Sequence, residues 1–348
     1  MIDIAEMTDL EVDKKILELK EKFGDQLFIP VHHYQRDEIV QFADYTGDSL
    51  ELSRVSASSK ARFIVFCGVY FMAEIARILS PPERLVFIPQ KSAGCPLADF
   101  AMPGDVEQVW EALQEVHPGG YIPVTYANSH AGVKAFCGRN EGFMCTSSNV
   151  EKIFRWILEK GKRIFFIPDR NLGFNTASAM GMGDQCLIVG PQSVLDREIL
   201  KEKKIILWGG FCIVHKVFNL NHVKYWRKKD PEIKIIVHPE CDPEVVEASD
   251  CTGSTSKIKK TVENSPAGSK WVIGTEFNLV NRLKVQNPDK FIEPLDKSIC
   301  INMSKIRRRD LLSALLSIEM EDFSEQITLP SKLINDARLA IERMLELS

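Results

Sequence analysis

The chain has 348 residues, 45% of them hydrophobic and 26% charged, with a formal net charge of −4. At roughly 150 residues per domain this is two or three domains with ample core, which excludes a disordered or fibrous chain. The slight acidity excludes a global positive field for nucleic acid or anionic membrane, and the longest chargeless apolar run, eleven residues from Phe63 to Ala73, is too short to span a bilayer.

In chain order, one pattern recurs three times. An apolar run ends in a polar cluster at FIPVHHYQ (28–35), and a small hydroxyl-rich turn, GDSLELS (47–53), follows it. A second apolar run (62–79) and a third, RLVFIPQKSAGC (84–95), complete the first unit. The second unit repeats this order with IPVTYANS (122–129), CTSSNVEKI (145–153), KRIFFIPDRNLG (162–173) and KKIILWGGFC (203–212). The third has IIVHPECD (235–242), TGSTSKIKK (252–260), KWVIGTEFNLVNRL (270–283) and KFIEPLDKSIC (290–300). From the turn serine to the final cysteine is 46 residues in the first and third units and 65 in the second. The excess falls in 174–203, read as an inserted loop and short helix. Short apolar runs alternating with helical stretches predict parallel strands in βα units. The expected fold is α/β, with short parallel sheets in three similar domains and C-terminal helices. The expected boundaries are 1–100 (with an N-terminal helix), 101–218, 219–303 and a helical segment 304–348. In that last segment Leu333, Ala337, Ile341 and Met344 share one helix face.

Ligands bind at the carboxyl ends of parallel strands, where the polar clusters lie. Three such units meeting there would surround one central cavity holding His32, Tyr34, Tyr126, Asn128, His238 and Glu240. One cysteine per unit, Cys95, Cys212 and Cys300, occupies the matching phase. A single cysteine is more often a core residue than a ligand; the equal phase singles out these three among nine. No CxxC pair is present, which argues against structural zinc, whereas three distant thiolates suit an iron–sulfur cluster with one open iron. Scattered cysteines in a long chain, and an acidic start without an apolar signal region, predict reduced thiols and a cytoplasmic protein. The hydroxyl turns, with Ser49, Ser147, Ser254 and Thr255, can cap helices or bind carboxylate and phosphate at helix N-termini. His238 and Glu240, two apart, form a possible acid–base couple, and His215 lies three residues after Cys212. The Arg307–Arg309 run reads as a solvated helix start.

VHHYQRDEIVQFADYTGDSLELSR, FCGVYFMAE, GCPLAD, VTYANSHAGVKA, CTSSN, PDRNLG, WGGFCIVH, VHPEC, TGSTS, GTEFNLVNRL and CINM occur in this order. Together they resemble the quinolinate synthase family of NAD biosynthesis, over residues 28 to 303. The resemblance implies three pseudo-threefold-related domains around a [4Fe–4S] cluster with three cysteine ligands, falling here on Cys95, Cys212 and Cys300. It implies a transferase that condenses iminoaspartate with dihydroxyacetone phosphate to quinolinate, releasing phosphate and two waters, with functional coupling to L-aspartate oxidase. By motif, Tyr34, Tyr126, His238 and Glu240 would be catalytic. His32, Ser49, Asn128, Ser147, His215, Ser254 and Thr255 would bind substrate. The chain departs from the family pattern at WGGFC-Ile, where W-P-G-x-C-P is more usual, at His33, and in the insertion 174–203. The residue pattern also admits another [4Fe–4S]-dependent hydro-lyase acting on a small carboxylic acid. A cluster-bearing regulator would need a nucleic-acid-binding element and a basic face, which the sequence does not show beyond the short Arg307–Arg309 run.

Overall fold

The computed structural model describes residues 4–191, 193 and 196–347, and the chain folds into two compact units. The first comprises residues 1–95 and 299–330. Its strands are β1 (Leu27–Phe28), β2 (Pro30–His32), β3 (Tyr45–Gly47), β4 (Phe63–Val65) and β5 (Leu85–Phe87). All pairs are parallel: β2 with β3, β1 with β4, and β4 with β5. β1 and β2 flank Ile29, whose N–H donates to the Asp44 carboxylate at 2.7 Å and whose carbonyl accepts from the Asp44 N–H at 3.0 Å. A bridge between Val31 and Cys67 continues the ladder, so the lateral order is β3, β1/β2, β4, β5. The long run 62–79 divides into β4 and the helix Tyr70–Leu79, because Phe63-Ile64-Val65 suits a pleated strand while FMAEIARIL can bury a helix.

The helix Asp9–Phe23 opens on a capping box between Thr8 and Glu11 and buries Val12, Ile16 and Leu19. It packs on the helix Arg308–Glu319, which buries Leu311, Leu312 and Leu315. The basic run is not a loose solvated face. Arg308 pairs with Asp13 at 2.9 Å and Glu38 at 3.1 Å, and Arg309 with Asp9 at 2.7 Å.

The second unit comprises residues 96–298 and 331–348. One of its sheets contains β6 (Tyr121–Tyr126), β7 (Phe143–Cys145), β8 (Arg163–Ile167), β9 (Cys186–Val189) and β10 (Ile205–Trp208), in the order β7-β6-β8-β10-β9. The other contains β11 (Lys234–Val237), β12 (Cys251–Thr252), β13 (Lys270–Gly274) and β14 (Phe291–Pro294), in the order β12-β11-β13-β14. Every pairing is parallel. The lateral order of the first unit thus recurs twice. Its staple recurs once, in the sheet of β11: the Ile235 N–H donates to Asp250 at 2.6 Å, and the Ile235 carbonyl accepts from the Asp250 N–H at 2.9 Å.

The stretch 174–203 holds more than a loop and a short helix. It completes the helix Arg170–Ala179 and supplies β9, a fifth strand on β10, before the helix Arg197–Glu202. Residues 192, 194 and 195 of this stretch lie outside the described residues. At the C-terminus, the helix Ser331–Glu346 lies on the helix Ala131–Arg139 and buries Ala337, Ala340, Ile341 and Met344. Gly138 permits this approach: a Cβ there would stand 1.8 Å from the Asp336 carbonyl oxygen. Among the described residues no helix is long and apolar enough to cross a membrane.

Candidate functional site

In the first unit β2 delivers His32 to its carboxyl end. The Tyr34 N–H donates to His32 Nδ1 at 3.1 Å, and the Tyr34 ring meets the imidazole edge-on at 4.7 Å between centroids. Accepting at Nδ1 leaves the proton of the neutral ring on Nε2. Ser49 is the first residue of the helix Ser49–Ser58, and Asp48, not Ser49, is its N-cap. Cys95 and Cys300 both belong to this unit and are half-buried. Their loops are tied together: Lys305 Nζ donates to the Ser92 carbonyl at 2.7 Å. The 303–306 segment also reaches the segment after His32, through Gln35 to Met303 Sδ at 3.7 Å and Arg36 to the Ile306 carbonyl at 3.2 Å.

In the second unit the ends of β6 and β11 supply a compact buried cluster. β11 stops at Val237, so His238 and Glu240 stand in the turn beyond it, where the Glu240 N–H donates to His238 Nδ1 at 3.3 Å. The side chains still converge, with His238 Nδ1 3.9 Å from Glu240 Oε2. His215 Nδ1 lies 2.7 Å from Glu240 Oε2, and its Nε2 lies 3.1 Å from Thr275 Oγ1. An ionised carboxylate only accepts, so Nδ1–H is the donor and, in a neutral ring, Nε2 accepts from Thr275. The His215 and His238 rings stack at 4.3 Å. Tyr126, at the end of β6, hydrogen-bonds Glu240. Asn128, in the following turn, has a buried Oδ1 with no hydrogen-bond partner among the described residues. That turn is braced from below by Lys134, whose Nζ donates to the carbonyls of Ala127 and Ser129.

Burial drives the Glu240 carboxyl upward, but His238 and His215, with hydrogen bonds from His215 and Tyr126, outweigh it and leave the pKa at about 2. Burial, aided by His215, lowers His238 to about 3 against the opposing pull of Glu240. The cluster at neutral pH is therefore an ionised carboxylate beside a neutral His238. Cys212 completes it: its Sγ, a His215 ring nitrogen and a Glu240 oxygen lie within 4.8 Å of one another. The other cysteines differ in kind. Cys67, Cys137, Cys145 and Cys241 are buried and burial pushes their thiols up; Cys186 is pushed up to about 12 and Cys251 is raised, again chiefly by burial.

The hydroxyl turns do not share one capping register. Ser254 is the N-cap of the helix Thr255–Glu263, accepting from the Lys257 N–H at 3.4 Å, and Thr255 is that helix's first residue. Ser49 therefore corresponds in helix position to Thr255. Ser147 precedes the N-cap of the helix Val150–Glu159, Asn149, by two residues. Asn149 turns back to accept from the Thr146 N–H at 2.8 Å.

Sequence reasoning assigns no role to four residues around the second-unit cluster: Thr275, Asp169, Asn171 and Asn175. Asp169 is fully buried and caps the helix Arg170–Ala179 through Oδ1 to the Leu172 N–H at 2.8 Å, while its Oδ2 has no hydrogen-bond partner among the described residues. Burial and the Glu240 charge push its pKa well up, against the amides of Leu172, Asn171 and Cys212. The signals are present in PDRNLGFN and GTEF: an aspartate before a helix, two asparagines four apart on it, and a threonine at a strand end.

The model of the family described as Quinolinate synthetase A protein matches residues 14–346. A quinolinate synthase from Geobacillus sp. (strain WCH70) is 46% identical over 344 residues, covering 97% of this chain and 94% of the relative. One from Anoxybacillus flavithermus is 46% identical over 341 residues, covering 96% and 93%. One from Bacillus anthracis is 45% identical over 347 residues, covering 98% and 94%. With the match running nearly end to end, the chain belongs to the quinolinate synthase family.

Proposed function

We propose that this protein is a transferase of NAD biosynthesis that condenses iminoaspartate with dihydroxyacetone phosphate to give quinolinate, phosphate and two waters. The observation that carries the reading is the constellation of buried Glu240 and His215 with half-buried Cys212 in a chain of this family. In the same reading the chain forms three α/β domains around a central cavity, with boundaries at 1–100, 101–218 and 219–303 and helices after them. It acts in the cytoplasm, and its iminoaspartate comes from L-aspartate oxidase.

The donor set fits an iron–sulfur cluster. Cys95, Cys212 and Cys300 are half-buried in loops, unlike the four deeply buried thiols that burial holds protonated. A structural zinc site would favour paired spacing, which is absent. These three cysteines would hold a [4Fe–4S] cluster with one iron left open. When bound, that iron supplies a Lewis acid for a substrate oxygen.

The chain's own residues have separate tasks. Glu240, ionised and anchored by His215, accepts a proton from the substrate and returns it to a departing hydroxyl. Tyr34 and His238 assist as hydrogen-bond donors. Tyr126 and Asn128 orient the substrate, Asn128 with an oxygen that has no hydrogen-bond partner among the described residues. His32 offers its Nε2–H to a substrate oxygen, while His215, whose ring nitrogens face Glu240 and Thr275, serves substrate binding by holding the Glu240 carboxylate in place. Ser49, Ser147, Ser254 and Thr255 bind carboxylates and the departing phosphate beside helix N-termini, where unpaired N–H groups and the dipole favour anions.

The test is Glu240→Gln in anaerobically purified protein. Turnover to quinolinate should fall by about 10²–10⁴-fold, with iron, sulfide and the visible spectrum unchanged. Loss of the cluster in this variant would make Glu240 structural. Identifying the product separates quinolinate formation from hydro-lyase activity.

A further inference from the structure

We infer that Asn171 and Asn175 are positioning residues: from one face of the helix Arg170–Ala179 they hold the 238–242 loop in the shape that aims the Glu240 carboxylate at His215. The inference rests on the role proposed for Glu240. Beyond β11 the chain leaves the sheet, yet His238, Pro239, Glu240 and Cys241 remain buried. Carbonyls in a buried loop that reach neither a ladder nor water need donors from elsewhere. The two asparagines supply them. Asn175 Nδ2 donates to the Pro239 carbonyl at 2.8 Å and to the Cys241 carbonyl at 2.9 Å. Asn171 Nδ2 donates to the Glu240 carbonyl at 3.2 Å and to Asp242 Oδ1 at 3.1 Å. Each amide thus uses both hydrogens, and three consecutive carbonyls centred on Glu240 are satisfied. The other Asp242 oxygen accepts from Lys216 at 2.6 Å, one residue after His215. One carboxylate therefore ties the Glu240 loop to the segment that carries its imidazole partner.

The helix is itself fixed in rotation and depth. Gly173 lies between the asparagines, roughly on the opposite face of the helix. A Cβ there would come within 2.5 Å of Leu207 and 2.6 Å of Phe166, side chains of β10 and β8. With the glycine seated against the sheet, residues 171 and 175 are turned toward the loop. An error of about 1 Å in a catalytic group can cost about a hundredfold in rate. The 2.7 Å Glu240–His215 contact is the geometry at stake.

The test replaces each asparagine by leucine, singly and together, in the full chain purified anaerobically with its cluster. Leucine keeps the approximate volume and removes both donors. In the double variant kcat should fall by up to about a hundredfold, while KM for either substrate stays within about threefold and iron per chain is unchanged. The downfield proton signal of the His215 Nδ1–H···Glu240 bond should weaken in parallel, and this readout also serves in apoprotein. Ala177→Gly loosens the same helix without touching a donor, and should keep kcat and the signal. If the double variant does not fold, Asn175→Leu alone decides, with the same signs. A double variant with kcat and proton signal within threefold of the parent overturns the inference, as does an Ala177→Gly variant with an equal loss. A parent protein that makes no quinolinate overturns the proposed function instead, and the proton signal then still reports whether the asparagines set the contact.

Discussion

Glu240 and His238 are both buried, and burial alone moves their pKa values in opposite directions. It favours the neutral form of each, raising an acid and lowering an imidazole. Only Glu240 is rescued, by the two imidazoles and by hydrogen bonds from His215 and Tyr126. His238 remains at about 3, against 6.5 for an ordinary histidine. Below pH 6.5 the unfolded chain therefore takes up a proton at this residue that the folded chain refuses. Stability falls as pH drops from 6.5 toward 3, and Glu240, depressed from 4.5 to about 2, adds a loss in the same direction below pH 4.5. His238→Asn removes the upper window. Between pH 6.5 and 4.5 the parent should lose about 2–3 kcal/mol more stability than the variant; urea unfolding at the two pH values measures it, and equal losses would refute a neutral, buried His238. Much of this cluster is legible in the sequence, since His238 and Glu240 stand two apart and His215 follows Cys212 closely. Thr275, by contrast, reaches His215 from 60 residues away, and Asp169 gains its meaning only from a charge brought beside it by the fold.

Elements were legible where periodicity and caps agree. The helix Ser331–Glu346 buries three of the four residues whose spacing marks its apolar face, with Leu333 half-buried. What spacing does not disclose is how near its partner lies, because that depends on a residue with no side chain. On an open helix face Gly→Ala stabilises by up to about 1 kcal/mol. At Gly138 the sign should reverse: the new Cβ would meet the backbone oxygen of Asp336, which cannot swing aside, and the two helices must separate. Gly138→Ala should cost about 1–3 kcal/mol, seen as a lower thermal midpoint, and an unchanged or raised midpoint would refute the close packing. β9 is hidden in the sequence for another reason. Its four residues, CLIV, form an edge strand with one exposed face, too short for a period to declare itself. Ser254 caps its helix, but Ser49 and Ser147 stand one residue after and two residues before the caps Asp48 and Asn149, because Asp, Asn and Ser cap equally well and the sequence does not say which of several adjacent polar residues turns inward.

At the scale of the molecule, the recurring strand order and the Ile29–Asp44 and Ile235–Asp250 staples express the repeat that spacing suggested. The staples themselves were hidden, since each joins residues 15 apart through one carboxylate. The chain also re-enters each unit: residues 299–330 belong with the first and 331–348 with the second. Sequence reasoning groups all of 304–348 together, because helical pattern tells that a helix has an apolar face but not which surface receives it. The proposed ligand set is testable without any assay of activity. Cys95 and Cys300 belong to the first unit and Cys212 to the second. A cluster held by all three would bind the native fold and not the unfolded chain, and so would stabilise it by linkage. Anaerobic protein with its cluster should unfold in urea at a higher midpoint. After iron is removed by a chelator, the midpoint should fall. Cys212→Ala should resemble the chelated protein even when iron and sulfide are supplied, whereas Cys186→Ala, whose thiol burial holds near 12, should resemble the parent. If chelation leaves the midpoint unchanged, the three cysteines do not hold a cluster, and the ligand set must be redrawn.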